Sequence, residues 1–323
     1  MVPVYNPGDR FEKCLDSIVN QTLREIEIII VLDCPTDGSE KIAERYAKHD
    51  NRIKLAYNEK NLHVGLSRNV GLEMATGEYI GFIDSDDYIE LSMYDKMYSF
   101  AVNENLEMVR CNLFIQDGNT ITKHIMSKEP DNPDELRNYY IINNLQRTKG
   151  FGYCCICIYK TDMINKHGLK FVDSKTINRE DRLFNLCVLL TAQKIRSVPD
   201  YLYYYVQNPQ GITNSKNSIK NHSSTKSCIS YCEKVYDLMN TKGNNPQFAS
   251  ALLISISKML YTAFLNGFGD SFKMGLQGFR LIASNKTLAK PLSDLFKRKN
   301  FHILFRLKPT VFLFVLLVKM CSK

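Results

Sequence analysis

The chain has 323 residues, of which 44% are hydrophobic and 24% are charged. This composition is typical of a globular protein with roughly two domains, and it excludes a disordered, collagen-like or fibrous chain. The formal net charge is +8, but from Arg280 onward ten Lys and Arg residues stand against one Asp, and the rest of the chain is nearly neutral. Since a nucleic-acid-binding domain usually spreads its positive charge over a folded surface, we expect no nucleic-acid partner.

Strand and helix patterns alternate through the first 115 residues. Apolar residues recur at helical spacing from Phe11 to Val19, whereas the β-branched run from Ile26 to Leu32 is typical of a buried strand. The predicted strands cover residues 1–4, 26–32, 53–57, 79–83 and 108–114. The predicted helices cover residues 11–19, 39–46, 66–75 and 93–105. This order predicts an α/β fold with a mostly parallel sheet and helices on both faces.

The sequence after residue 115 is less regular. It predicts a hairpin turn at 117–119, strands at 150–160 and 201–206, and helices at 220–240 and 248–268. At the other end of the chain, the first strand is short, with only two residues before Pro3. We therefore expect that several residues are missing from its start.

Ten cysteines are scattered along the chain without the paired spacing of a zinc site. No secretory signal precedes the first predicted strand, so we expect a cytoplasmic protein with reduced thiols. Three cysteines lie in an apolar run and are expected to be buried: Cys154, Cys155 and Cys157.

Polar clusters follow three of the predicted strands. Tyr5 and Asn6 come after the first strand, Asp33 after the second, and residues 84–87 (Asp-Ser-Asp-Asp) after the fourth. In open sheets of this kind, ligands bind outside the carboxyl ends of the strands. The three clusters therefore predict one ligand site at this edge of the sheet.

Asp84 and Asp86 are the candidate metal ligands. Two carboxylates one residue apart at a strand end can project into one cleft, and such hard oxygen ligands suit Mg²⁺ or Mn²⁺. A divalent ion between these carboxylates and a diphosphate would neutralise both and stabilise the charge on a departing diphosphate. The alternative interpretation is an acidic turn or helix start, where Asp is also favoured.

Four further charged residues have both a functional and a structural interpretation. Asp33 either binds a base or ribose or forms an Asx turn with Pro35 and Thr36. Arg68 either pairs with phosphate or with the aspartates, or it forms a surface ion pair. Glu180 and Asp181 either supply the base that takes a proton from a hydroxyl, or they are the usual acidic first turn of a helix.

Together these segments resemble the family 2 glycosyltransferases with the GT-A fold, over roughly residues 1–205. The matching segments are 2–6 (VPVYN), 26–39 (IEIIIVLDCPTDGS), Asn61 with 65–69 (GLSRN), 77–87 (GEYIGFIDSDD), and Glu180-Asp181. The chain departs from the family pattern around Asp33, where Leu32 and Cys34-Pro35 stand in place of the usual acid or Asn and Gly-Ser.

The resemblance implies a role for each matching residue. Pro3, Tyr5 and Asp33 would hold the nucleotide base, and Asp181 would be the base of an inverting displacement at the anomeric carbon of the sugar. Asp84 and Asp86 together would contact the ribose, the metal and the diphosphate. The full set assigned to the nucleotide sugar is Pro3, Tyr5, Asn6, Asp33, Asn61, Gly65, Arg68, Asp84 and Ser85, with Asp84 and Asp86 for the metal and Glu180 and Asp181 for catalysis.

The resemblance also implies a domain organisation. Residues 1–210 would form the GT-A catalytic domain, with a nucleotide-sugar-binding half at 1–115 and an acceptor-side half at 116–210 that includes Tyr203–Tyr205. Residues 211–323 would form a helical C-terminal region.

We expect the protein to move a sugar from a nucleotide-diphosphate donor, a UDP-sugar, to a hydroxyl of a glycan or lipid-linked glycan, with Mn²⁺ or Mg²⁺ as cofactor. An inactive sugar-nucleotide-binding scaffold is the non-enzyme alternative. A nucleotidyltransferase is the enzyme alternative, but it would normally show a Gly-rich loop with Arg or Lys near the N-terminus, which residues 3–8 do not match.

Residues 280–323, called the basic tail below, are predicted to contact a membrane surface. Its apolar core, residues 311–318, is far shorter than the ~20 residues that span a bilayer, and basic residues interrupt any extension. We expect an interfacial anchor at the inner face of the plasma membrane. A buried final helix or a dimer contact is the alternative.

Overall fold

The computed structural model describes residues 1–124, 129–145, 151–207 and 222–242, together with Ser257, Tyr261 and Val315. The helix predicted at 248–268 lies outside the described residues except at two positions, and the basic tail lies outside them except at Val315. Within the part of the chain that is described, no helix is both long and apolar enough to cross a bilayer.

The first three strands form a parallel sheet, as predicted. The elements are β1 Val2–Val4, α1 Arg10–Val19, β2 Ile28–Leu32, α2 Ser39–His49, β3 Ile53–Tyr57 and α3 His63–Met74. The strand order is β1-β2-β3, and Val2 to Val4 pair with Ile30 to Leu32. Every residue of β2 is buried, which explains why this strand is an unbroken apolar run.

The next strands build a second, mixed sheet. They are β4 Tyr79–Gly81, β5 Tyr88–Ile89, β6 Met108–Asp117, β7 Thr120–Lys123, β8 Cys157–Lys160 and β9 Ile195–Val206. The remaining described elements are the helices α4 Met93–Asn103, α5 Pro133–Leu145, α6 Thr161–Lys166, α7 Glu180–Thr191 and α8 His222–Lys242, and a 3₁₀ turn, Cys154–Ile156. The strand order is β4-β8-β6-β9-β5, with β7 paired to β6 in the predicted hairpin.

The second sheet corrects part of the prediction. The α/β class is confirmed, but only β6 and β9 pair in parallel here, and the other pairs are antiparallel. The reason is that β8 lies between β4 and β6 and runs opposite to both. The strand predicted at 150–160 begins only at Cys157, because residues 154–156 form the 3₁₀ turn.

Met1 joins the two sheets. Its amino group donates to the carbonyl of Gly81 at 3.0 Å, and its own carbonyl accepts from the amide of Ile83 at 3.0 Å. These bonds hold the segment after β4 beside β1. Because Asp84 follows Ile83, these bonds also fix the start of the acidic segment 84–87.

A cluster of aromatic rings fills the space between the second sheet and α7. The rings of Phe171 and Phe184 stack with centroids 4.0 Å apart, and Phe82 meets Phe171 edge to face at 5.1 Å. The three cysteines predicted to be buried, Cys154, Cys155 and Cys157, are all at most 5% exposed. This core fixes the position of α7, which carries Glu180 and Asp181 in its first turn.

The chain divides into two compact units. The first comprises Met1–Tyr139, Gly152–Ser174 and Glu180–Gln207, and it contains every predicted site residue. Of the described residues, 140–145, 151, 175–179 and 222–242 belong to the second, together with Ser257, Tyr261 and Val315. In the second unit, α8 buries Cys228, Tyr231, Cys232 and Val235. The domain boundary at residue 210 stays a prediction.

Candidate functional site

Asp33 lies at the carboxyl end of β2 and is 2% exposed. One of its carboxylate oxygens, Oδ1, accepts hydrogen bonds from Nδ2 of Asn58 and from the amide of Leu62, both at 2.7 Å. Asn58 also donates to Oγ of Ser67 on α3 at 3.0 Å. These bonds offset the cost of burying a carboxylate, and no described residue donates to the second oxygen, Oδ2.

The loops after β1 and β2 are tied to each other through Asn6. Its Oδ1 accepts from the amide of Thr36 at 2.7 Å, and its Nδ2 donates to Oγ1 of Thr36 at 3.1 Å. Asn6 itself has a φ of 50°, a left-handed backbone conformation that Asn tolerates better than most residues. Its side chain therefore shapes the loop, whereas the neighbouring Tyr5 is 51% exposed and Pro3 is buried inside β1.

The departure from the family pattern, Cys34, also has a left-handed φ, 56°. Its Sγ donates to the carbonyl of Asn58 at 3.2 Å. Cys34 thus links the end of β2 to the residue that follows β3. Asn58, which sequence reasoning missed, occupies the same position after β3 that Asp33 occupies after β2, so the rule that found Asp33 would also have found it.

The acidic segment 84–87 is anchored by its last residue. Asp87 is 2% exposed, and its two oxygens accept from the hydroxyl of Tyr203 at 2.6 Å and from the amide of Val206 at 2.7 Å. Burial, together with the charges of Asp84 and Asp86, raises the pKa of Asp87 well above its ordinary value. Tyr203 was expected on the acceptor side. In the structure Tyr203 is buried and bonds Asp87 of the acidic segment, and its place on the acceptor side stays a prediction.

Asp84 and Asp86 are more accessible than their neighbours. The side chain of Asp84 is 31% exposed and Asp86 is half-buried, whereas Ser85 is 9% exposed. Oδ1 of Asp84 accepts from Arg68, and no described residue donates to its Oδ2. Both side chains are thus partly accessible, and their role as metal ligands stays a prediction.

Arg68 connects the acidic segment to α7. It lies on α3 and is 4% exposed. Its Nη2 donates to Oδ1 of Asp84 at 2.7 Å, and its Nη1 donates to Oε1 of Glu180 at 3.0 Å. Of the two interpretations of Arg68 as a functional residue, the structure shows the one in which it pairs with the acids.

Asn61 and Gly65 have local structural partners. Oδ1 of Asn61 accepts from the amide of His63 at 3.0 Å, which turns the chain into α3. The amide of Gly65 donates to Oγ of Ser174 at 2.9 Å, and a Cβ on Gly65 would lie 2.3 Å from the carbonyl oxygen of Val172. Gly65 therefore allows α3 to approach the segment that precedes α7.

Glu180 and Asp181 differ in their surroundings. Glu180 is 7% exposed, whereas Asp181 is half-buried and its Oδ1 accepts from the amide of Arg182 at 2.6 Å. Burial and the charge of Asp181 raise the pKa of Glu180 to about 7, against the opposing charge of Arg68. Burial also raises the pKa of Asp181, although Arg68 and Arg182 oppose the shift.

The described residues contain no group of three or more His, Cys, Asp or Glu side chains arranged to hold a metal ion. Both oxygens of Asp87 already accept hydrogen bonds inside the protein, so its side chain is used to anchor the segment. Mg²⁺ is commonly bound by one or two carboxylates plus substrate phosphates and water rather than by an all-protein cage. The donor set of Asp84 and Asp86 fits an ion of that kind.

A cavity of about 380 Å³ lies at the other end of β1, beside Met1. Its lining includes Ile28 and Ile29 of β2, residues 25–27 that precede β2, and β4 with the two residues before it, and none of the candidate residues borders it. The candidate site is therefore identified by its chemistry and not by this cavity.

Comparison with known proteins gives matches over the same part of the chain. Residues 1–168 match Glycosyl transferase family 2. The uncharacterized glycosyltransferase EpsJ of Bacillus subtilis (strain 168) is 32% identical over 221 residues, which are 66% of this chain and 62% of EpsJ. The poly(ribitol-phosphate) β-N-acetylglucosaminyltransferase TarS of Staphylococcus aureus (strain MW2) is 30% identical over 65% of this chain and 35% of TarS. The chain thus matches less than two thirds of the length of these relatives.

Solved structures resemble this chain over nearly its whole length. S. aureus TarS 1–349 in complex with UDP has a TM-score of 0.72 at 21% identity, covering 100% of this chain and 87% of the other. The mannosyltransferase PcManGT from Pyrobaculum calidifontis, in complex with GDP-Man and Mn²⁺, has a TM-score of 0.53 at 14% identity, covering 99% and 85%. At these identities the likeness shows the fold, and it confirms the predicted GT-A fold.

Proposed function

Because the chain belongs to glycosyl transferase family 2, we propose that it transfers a sugar from a nucleotide-diphosphate donor to a hydroxyl of a glycan or lipid-linked glycan. A solved structure with a similar fold holds UDP, which supports a UDP-sugar as the donor. A relative that is 30% identical is named for transfer to poly(ribitol-phosphate), which supports a cell-surface polymer or its lipid-linked precursor as the acceptor.

The observation that carries the proposal is the convergence of three acidic positions in one compact unit. Asp33 ends β2, Asp84 follows β4 and Asp181 begins α7, although 148 positions separate the first from the last. Arg68 pairs with Asp84 and with Glu180, the residue next to Asp181. A sugar transfer requires residues that bind the donor, here Asp33 and Asp84, to lie in the same site as the base, here Asp181.

The donor would bind along the carboxyl ends of β1 and β2. Oδ2 of Asp33 is available to accept a hydrogen bond from an N–H group of the base, since Oδ1 is already bound to Asn58 and Leu62. The exposed ring of Tyr5 would cover a face of the base. The diphosphate would then lie toward Asp84 and Asp86.

Asp84 and Asp86 would hold Mn²⁺ or Mg²⁺ together with the diphosphate oxygens. The ion would neutralise the diphosphate charge as the donor bond breaks. A GT-A structure with similar topology binds Mn²⁺ alongside its nucleotide sugar, which supports this assignment.

Asp181 would act as the base. Its carboxylate takes the proton of the acceptor hydroxyl as the acceptor oxygen forms a bond to the anomeric carbon. The bond from that carbon to the diphosphate oxygen breaks, and its electron pair leaves with the nucleoside diphosphate, so the configuration inverts. A pKa raised by burial makes Asp181 a better proton acceptor than an ordinary Asp.

The test is a screen of UDP-, GDP-, CDP- and dTDP-sugars with Mn²⁺, scored first by thermal stabilisation and then by nucleoside diphosphate release. We expect one donor class to stabilise the protein, because a ligand that binds the folded state raises its stability, and to release nucleoside diphosphate. Stabilisation without release in the presence of acceptor extracts would favour the inactive scaffold. Release of pyrophosphate from a nucleoside triphosphate and a sugar phosphate would favour the nucleotidyltransferase.

We also propose that the basic tail binds the cytoplasmic face of the membrane, where a lipid-linked acceptor would be found. The tail carries ten of the 42 Lys and Arg residues, and each such residue near an anionic surface contributes about 1 kcal/mol. The full chain should float with vesicles of phosphatidylglycerol and phosphatidylcholine but not with phosphatidylcholine alone. Absence of flotation with both would contradict the anchor.

A further inference from the structure

We propose that Arg68 and Glu180 are positioning residues. They hold Asp84, on the donor side of the site, in a fixed position relative to the first turn of α7, which carries Asp181. This inference rests on the proposed function, and it differs from the sequence-based assignment of Arg68 to the donor and of Glu180 to the chemistry. In this proposal neither side chain touches a substrate. Each acts on a neighbour: Arg68 on Asp84, and Glu180 on the first turn of α7, where Asp181 lies.

The contacts of Arg68 with Asp84 and with Glu180, called the bridge below, support this assignment. The guanidinium of Arg68 uses its two terminal nitrogens on two different carboxylates, at 2.7 Å from Asp84 and 3.0 Å from Glu180. Asp84 is 16 positions away in the chain and Glu180 is 112 positions away. One side chain thus ties together the segment after β4 and the start of α7, which no strand pair connects directly.

The burial of the bridge leaves little of it accessible to a ligand. The side chains of Arg68 and Glu180 are 5% and 9% exposed, compared with 31% for Asp84. Both terminal nitrogens of Arg68 already bond carboxylates, and its Nε is buried and has no hydrogen-bond partner among the described residues. Oε1 of Glu180 accepts from Arg68, whereas Asp181 is the more exposed of the two acids of α7, so Asp181 is kept as the base.

Two neighbours restrict how the bridge can be built. A Cβ on Gly65 would lie 2.8 Å from Oγ of Ser174 and 3.1 Å from Cγ of Glu180, so the absence of a side chain there lets Glu180 approach α3. The ring of Phe171 lies 5.3 Å from the guanidinium carbon of Arg68 and restricts its orientation. The planar fork of Arg68 serves both carboxylates at once, which a single ammonium group does less well.

The bridge also has an electrostatic role. The charge of Asp84 raises the pKa of both Glu180 and Asp181, and the charge of Asp181 raises that of Glu180. The charge of Arg68 opposes this repulsion at Glu180 and Asp181. Removing the bridge would therefore let the donor-binding acids and α7 separate.

The test compares Glu180→Gln, Arg68→Lys and the double variant with wild type, using the donor identified by the screen. Donor binding is measured by calorimetry, and kcat and KM are measured from nucleoside diphosphate release with an acceptor extract. We expect Glu180→Gln to lower kcat 10- to 100-fold while the donor Kd changes less than threefold. Arg68→Lys should lower kcat further and also weaken donor binding, because it loosens Asp84.

The double variant provides the signature of a shared bridge. If both residues act through the same contact, Arg68→Lys/Glu180→Gln should be at most threefold slower than Arg68→Lys alone. The matched control is Glu73→Gln on α3, the helix that also carries Arg68. This variant removes an exposed ion pair between Glu73 and Lys170. We expect its kcat within twofold of wild type.

Several results would overturn the inference. A Glu180→Gln variant as inactive as Asp181→Asn, with donor binding intact, would make Glu180 the base. Unchanged kcat, or multiplicative losses in the double variant, would exclude a shared positioning role. If Glu180→Gln does not fold, Glu180→Asp takes its place, and a folded Glu180→Asp with wild-type kcat would equally contradict the bridge. Wild-type protein that releases nucleoside diphosphate from no donor would instead refute the proposed function itself.

Discussion

The hydroxyl of Tyr203 lies 2.6 Å from Oδ2 of Asp87 and 3.3 Å from the amide nitrogen of Asp84. A tyrosine from β9 therefore holds both ends of the acidic segment that follows β4. Cys14 on α1 adds a third contact, since its Sγ donates to the carbonyl of Asp84 at 3.7 Å. The position of the candidate metal ligands thus depends on residues outside the motif that identifies them.

Replacing Tyr203 with Phe should destabilise the fold and disturb the site. The variant leaves Oδ2 of the buried Asp87 without a donor, and such a loss typically costs about 1–3 kcal/mol. Urea unfolding measures the difference in the free energy of unfolding. The control is Tyr98→Phe, whose hydroxyl bonds Glu78 at an exposed position, and which should change stability by about 0.5 kcal/mol or less. If the two variants lowered the free energy of unfolding equally, the buried bond to Asp87 would contribute no more to stability than an exposed one.

Replacing Asp86 with Asn should remove metal-dependent turnover while the fold survives. Asn keeps the shape of the side chain but not its charge, so a divalent ion loses one of its two carboxylate ligands. We expect donor turnover with Mn²⁺ to fall at least about 100-fold, equivalent to ~2.7 kcal/mol of transition-state stabilisation. Asp95→Asn, an exposed acid in the first turn of α4, is the control. Wild-type turnover in Asp86→Asn would refute the metal role.

Stability should depend on pH through Glu180. Its pKa is raised from 4.5 to about 7 in the folded chain, so between these values the folded state keeps a proton that the unfolded state has released. The free energy of unfolding therefore falls as pH rises through this window. Glu180→Gln does not titrate, so wild type should lose about 1–3 kcal/mol relative to it between pH 4.5 and pH 8.

Urea unfolding of both proteins at several pH values, without divalent metal, measures this difference. Groups common to both proteins, such as the buried amino group of Met1, whose pKa burial lowers to about 6, cancel in the comparison. A difference that stays constant, or that changes in favour of wild type as pH rises, would contradict the assigned pKa shift.

The sequence was sufficient to predict the parts of the fold that follow from local pattern. The helical spacing from Phe11 to Val19 and the buried run that ends at Leu32 correspond to α1 and β2. Tyr5 and Asp33 directly follow β1 and β2 as predicted, whereas β4 ends at Gly81 and not at Ile83, so two residues separate it from Asp84. The mixed second sheet could not be predicted in this way, since β8 pairs with β4 across 76 intervening residues.

The site was predictable in its composition but not in its connections. Motif spacing identified Asp33, Asp84 and Asp181 one by one. Nothing in the spacing indicates that Arg68 pairs with Glu180, or that Asp87 is committed to Tyr203, because these contacts join residues 112 and 116 positions apart. Long-range pairings of buried polar groups depend on tertiary packing, so the bond between Tyr203 and Asp87 could not be predicted from the sequence.

The most direct test of the account is Asp181→Asn, measured for donor binding by calorimetry and for sugar transfer with the acceptor. Asn keeps an oxygen that can accept from the amide of Arg182 but cannot take the proton of the acceptor hydroxyl, so we expect the donor Kd within threefold of wild type and transfer reduced by about 10²–10⁴-fold. Transfer within tenfold of wild type, or loss of donor binding together with transfer, would contradict the assignment of Asp181 as the base of this site.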